Sequence, residues 1–154
     1  GWNDDWTAIF CMTAALHVRT ELGDRPGAAA IAAQLDRYAD RWATAGTSPI
    51  NTGPASLALA RHAALIGDAA ADALFARAVA LSERMSSPAW IARSRVHQGS
   101  HWRRTGRRAE AEIALGEARE LAERHGLPYV LRRIEALDGL GVAASADARD
   151  DVDA

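Results

Sequence analysis

The chain has 154 residues, the size of one ordinary domain, with 18 basic and 20 acidic side chains and a formal charge of −2. That balance excludes a whole-protein field for nucleic acid or an anionic membrane, and a single cysteine, Cys11, excludes an internal disulfide and fits a reducing cytosol. No run approaches the ~18 consecutive apolar residues of a membrane span, and the opening GWNDDW has neither the basic nor the apolar segment of a secretion signal.

Thirty-six residues are alanine, every basic residue is arginine and lysine is absent, the bias of a high-GC coding sequence. Alanine loses no side-chain entropy in a helix, so helices are expected throughout. The chain opens on Gly1 instead of methionine, and the expectation is either an added leading glycine or a piece of a longer protein.

Seven helices are predicted in chain order from periodicity and punctuation. Asp4 or Asp5 caps the first, which ends near Leu22 before GDRPG. The second covers about Ala28–Thr44, with Ile31, Leu35, Tyr38 and Trp42 at helical spacing. The segment Ala45–Pro54 reads as a loop, because two prolines and two glycines interrupt small polar residues. The third helix spans Ala55–Ile66 and stops at Gly67, and the fourth spans about Ala69–Met85. The fifth follows Pro88, at about Ala89–Thr105, and the sixth covers Arg108–His125 with Gly126 as its left-handed stop. Pro128 opens a seventh, about Tyr129–Leu137. The expected domain is therefore 1–137, and 138–154 reads as a small, acidic, disordered tail.

The chain also repeats itself. Offset by forty residues, RAVALSERMSSPAW (Arg77–Trp90) lies over EARELAERHGLPYV (Glu117–Val130), with Ala78 on Ala118, Leu81 on Leu121 and Pro88 on Pro128. Offset by thirty-nine, Gly67 meets Gly106 and His62 meets His101. Such periods mark helix-hairpin arrays, in which one unit cannot bury its apolar face without the next. Gly99, Trp102, Gly106, Ala111, Leu115 and Ala118 match the small, aromatic, turn, small, large and small positions of a tetratricopeptide hairpin. Gly99 and Ala111 allow close approach of two helices, and Trp102 and Leu115 fill the space between them. The expected fold is all-α, a right-handed superhelix of about seven helices in tetratricopeptide-like hairpins.

From Gly53 to Leu137 the chain resembles the C-terminal helical repeats of large actinobacterial signalling proteins built on a STAND-type AAA ATPase. In that family the ATPase is accompanied by a cyclase domain or a LuxR-type helix-turn-helix. The resemblance rests on the Gly53-Pro54 opening, the helix ends of the form A..L.ER and the long period. It implies a cytoplasmic sensor or scaffold that controls an attached or associated ATPase. The chain departs from the full plan: no GxxxxGK[ST] is present, no lysine could serve a phosphate loop, and no recognition helix follows the repeats.

In stacked hairpins the first helix of each pair lines the concave face. On the fifth helix Trp90, Arg93, His97, His101 and Arg104 share one stripe, and Pro54, Ala58, His62 and Leu65 face them from the third. This groove suits a protein partner with an acidic segment or a small anionic ligand; the competing reading is a solvated face with Trp90 packed on its neighbour. Arg103, Arg107 and Arg108 form a cationic knot suited to phosphate or an acidic partner, with Glu110, Glu112 and Glu117 interspersed to neutralise it, so nucleic-acid binding is not expected.

His97 and His101 stand at i, i+4, a zinc-compatible spacing, but HQGSH lacks the glutamate of a metalloprotease and shows no third ligand. Surface histidines are the favoured reading. Trp2, Trp6 and Phe10 fall on one face, suggesting an uncovered end and dimerisation in isolation. No nucleophile motif is visible, so a non-catalytic binding module without cofactor or metal is expected. The alternatives are an oligomerisation domain and, further off, a metal-dependent enzyme using His97 and His101.

Overall fold

The computed structural model describes residues 6–45 and 50–150, with backbone alone at Trp6 and from residue 140 onward. It is mostly helical, in the order α1 (Trp6–Glu21), α2 (Arg25–Leu35), a 3-10 turn (Asp36–Tyr38), β1 (Trp42–Thr44), β2 (Asn51–Pro54), α3 (Ala55–Ile66), α4 (Ala71–Arg84), α5 (Pro88–Arg104), α6 (Arg108–His125) and α7 (Pro128–Asp150). The spans of α3 and α6 are those the punctuation predicts. Both helices stop at a left-handed glycine, Gly67 and Gly126. At the start of α2, the Asp24 carboxylate accepts from the Gly27 N–H at 3.0 Å.

Three expectations need correction. The second helix does not continue to Thr44: it ends at Leu35, and Trp42–Thr44 forms a strand. The predicted loop contains the partner strand, so the chain, mostly helical in keeping with the all-α expectation, also carries a small two-stranded antiparallel sheet. Trp42 pairs with Pro54 and Ala43 with Gly53. Tertiary packing overrides helical spacing here, because Ala43 is fully buried among α1, α2 and α3. The Trp42 ring meets Trp90 edge to face, with centroids 6.1 Å apart. Gly53 carries this arrangement: its φ is +77°, and a Cβ there would stand 2.3 Å from the Trp90 ring.

The third correction concerns the C-terminus, where α7 runs on to Asp150 instead of ending near Leu137. Its extension is rich in alanine and lacks proline, which favours helix despite the acidic composition. Asp138 is tied in, accepting from Arg103 at 2.8 Å and from Arg119 at 3.0 Å. Residues 151–154 of the expected tail, and Trp2 of the expected N-terminal face, lie outside the described residues; of Trp6 only the backbone is described.

Apolar burial falls into three successive clusters. Leu16, Leu35, Ala58 and Leu59 anchor the first, among α1, α2, the hairpin and α3. Leu57, Ala60, Phe75 and Ala78 join α3 to α4, closed by Trp90. Ala92, Val96, Leu115, Val130 and Ile134 join α5, α6 and α7. Each helix packs on its neighbours in sequence, and α1, α3, α5 and α7 also touch in series. The helices α5 and α6 approach closely at Gly99: a Cβ there would come within 2.8 Å of the Leu115 side chain and 3.2 Å of the Ala111 carbonyl.

Candidate functional site: an arginine-lined groove

The serial contact of α1, α3, α5 and α7 brings one face of each to a shared groove. A cavity of about 270 Å³ lies there, bounded by Glu21 of α1, Arg61 of α3, and Arg93, Val96 and His97 of α5. Tyr129, Val130 and Arg133 of α7 complete it. Two adjoining cavities share Glu21 and Arg61 with the first. One, about 340 Å³, reaches Phe75, Ser100 and Arg104; the other, about 420 Å³, reaches His17, Asn51, Thr52 and Trp90.

Arg61 is the node. One nitrogen, Nη1, lies 2.7 Å from Nδ1 of His17, and Nη2 donates to the Glu21 carboxylate. His17 and Glu21 are one helical turn apart on α1, so the helix presents both to the same guanidinium. The Arg61 side chain is only 10% exposed. Because a guanidinium only donates, His17 must accept at Nδ1, which makes the imidazole neutral with its proton on Nε2. Burial, then the charges of Arg61 and Arg93, hold the His17 pKa down to about 3, with the Thr52 main chain opposing. His97 is likewise pushed well below its ordinary value, first by burial and then by Arg61, His17, Arg93 and Arg133.

Arg93 stacks over the Trp90 ring at 4.3 Å and stands 5.8 Å from the Tyr129 centroid. Burial lowers its pKa and Tyr129 opposes that effect. The charge inventory is lopsided here. Elsewhere Arg19 pairs with Asp24, Arg77 with Asp40, and Arg95 with Glu117. Arg103 pairs with Glu112, Arg107 with Asp72, and Arg119 with Asp138. In the groove Arg61, Arg93, Arg104 and Arg133 gather around one carboxylate, Glu21. Among the described residues Arg93 is the one half-buried arginine with no ion-pair partner; Arg104 and Arg133 have none either, as do other exposed arginines such as Arg25, Arg41 and Arg124.

Of the stripe read from sequence, Trp90, Arg93, His97 and Arg104 line these cavities, whereas His62 and His101 line none of the three. His62 is 6% exposed on α3, and Arg61 takes the groove position beside it. His101 turns toward α4, with its ring 5.7 Å from Phe75 and Nε2 3.8 Å from the Asp72 carboxylate. The i, i+4 histidines therefore serve different surroundings, and among the described residues no three His, Cys, Asp or Glu side chains gather as metal ligands.

The cationic knot is divided as well. Arg103 is held by Glu112 and Asp138, both at 2.8 Å. Arg107 is held by Asp72 at 2.5 Å and Glu110 at 3.1 Å, and stacks 4.7 Å above Trp102. Arg108 is exposed.

Sequence reasoning missed His17, Glu21, Arg61, Tyr129 and Arg133. One signal was present: Arg93 and Arg133 each stand five residues past a helix-opening proline, so the forty-residue offset superimposes them. The first helix of the array had no readable register, which left His17 and Glu21 without a place.

The fold and groove define a class: a mostly helical protein whose odd-numbered helices line an arginine-rich groove. No protein-family model matches the chain, and no curated protein or solved structure does either.

Proposed function

We propose that this chain is a non-catalytic binding module whose groove takes an anionic ligand or the acidic segment of a protein partner. The observation that carries the reading is the gathering of four arginines around one carboxylate, with half-buried Arg93 unpaired where the half-buried Arg95, Arg103 and Arg107 each have a carboxylate partner. Since α1, α3, α5 and α7 each contribute, an anion bridging them favours the packing in which those charges lie closest. It thereby biases whatever is attached to either end. The hairpins are read as tetratricopeptide-like units in a right-handed superhelix, and the module as the sensor or scaffold of a cytoplasmic ATPase-coupled regulator. Both parts rest on the forty-residue grammar and the resemblance from Gly53 to Leu137.

The test is thermal unfolding with pyrophosphate or an octaglutamate peptide, against sodium chloride at matched ionic strength. The wild type is expected to rise in midpoint with at least one probe, and the double variant Arg93→Ala/Arg133→Ala to lose that rise while keeping its helical circular dichroism. A wild type indifferent to both probes, or a variant that responds as the wild type does, ends the anion-binding reading.

A further inference from the structure

Resting on that anion-binding reading, we propose that the occupant is a small phosphate monoester with a planar apolar body. The phosphate sits among Arg61, Arg93 and Arg133, and the body lies against Val96, Val130 and the Tyr129 ring.

Charge is the first argument. Three guanidiniums converge with Arg104 near by, and Glu21 offsets only one of them. A monoanion leaves most of that surplus uncompensated in a partly dehydrated groove, whereas a phosphate monoester carries about −1.5 to −2 at neutral pH. Geometry is the second. A guanidinium presents paired N–H groups that match two oxygens of a phosphate at once. Arg93 is fixed over Trp90 with Tyr129 beyond, and this contact uses its face, leaving its N–H edge free to donate. Arg61 spends donors on His17 and Glu21 and keeps others.

Size and lining supply the third argument. About 270 Å³ lies just below the range of roughly 300–1,000 Å³ typical of small-molecule sites. Beside the cations stand two almost wholly buried valines and the more exposed Tyr129 ring, a surface that favours a flat apolar body.

Calorimetric titration at pH 7.5 and fixed ionic strength tests this, with phenyl phosphate, phenyl sulfate, inorganic phosphate and an octaglutamate peptide as probes. Phenyl phosphate is expected to bind about tenfold more tightly than phenyl sulfate, which has the same body and one charge fewer, and than inorganic phosphate, which lacks the body. Arg133→Ala, at an exposed position on α7, is expected to weaken phenyl phosphate about tenfold without loss of helicity. Glu21→Gln is expected to tighten it severalfold, an outcome no purely structural role predicts. Equal affinity for the two phenyl esters, or unchanged affinity in Glu21→Gln, overturns the monoester proposal. Binding of octaglutamate without phenyl phosphate overturns it too while leaving the anion-binding reading intact, and binding of no probe overturns both.

Discussion

At the scale of single residues, His17 shows how one hydrogen bond sets a protonation state. Arg61 occupies its Nδ1 lone pair at 2.7 Å, so a proton there would place two cations in contact. With a folded pKa of about 3 against 6.5 unfolded, the unfolded chain binds the extra proton as pH falls. The stabilisation is complete above pH 6.5 and is lost as pH drops toward 3, at about 1.4 kcal/mol per unit. His97 shifts in the same direction and adds to the slope. Urea midpoints measured at pH 7.5, 5.5 and 4.5 should therefore fall in the wild type and fall less steeply in His17→Gln. That amide still accepts from Arg61 and does not titrate. Parallel slopes in the two proteins would show that His17 is already protonated in the native state.

At the scale of elements, the pairing of α5 with α6 turns on the absence of one side chain. A Cβ at Gly99 meets the Leu115 Cγ at 2.8 Å and the Ala111 carbonyl at 3.2 Å, so the helices must separate to admit it. Gly99→Ala is expected to cost about 1–3 kcal/mol by overpacking. That corresponds to several degrees of thermal midpoint, since 1 kcal/mol shifts a domain of this size by roughly 2–4 °C. The gain in helix propensity, up to ~1 kcal/mol, works in the opposite direction and should lose. A midpoint equal to or above that of the wild type would show that α5 and α6 yield without strain. Leu115→Ala removes a buried side chain and costs stability by itself, but Gly99→Ala should cost less in that background than in the wild type, because the nearer of the two obstacles is gone.

At the scale of the whole molecule, three apolar clusters follow one another along the chain, none of them shared by all the helices. Stability in such an arrangement is a sum of local units and their interfaces, so the ends can open without the middle. Ile134→Ala, in the cluster of α5, α6 and α7, is expected to cost about 2–5 kcal/mol there. Hydrogen exchange should then speed up in α6 and α7 while the amides of α1 to α3 keep their protection. Uniform acceleration across all helices would show a single cooperative unit.

Local chemistry made much of the architecture legible. Gly67, Pro88, Gly126 and Pro128 act within one or two turns of chain, so α3, α5 and α6 could be placed to within a residue, and the close packing around Gly99 could be read from the repeat. Three things required distant partners. Ala43 and Trp42 leave the helical pattern because the hairpin buries one and sets the other against Trp90. Asp138 continues α7 because Arg103 and Arg119 hold it. The groove was half legible: the stripe containing Arg93 and His97 follows from the pitch of a single helix. The choice of Arg61 over its neighbour His62, and the arrival of His17 and Glu21 from α1, depend on how four helices are rotated against one another. Rotation of that kind is set by side-chain volumes meeting across interfaces, which no local spacing encodes.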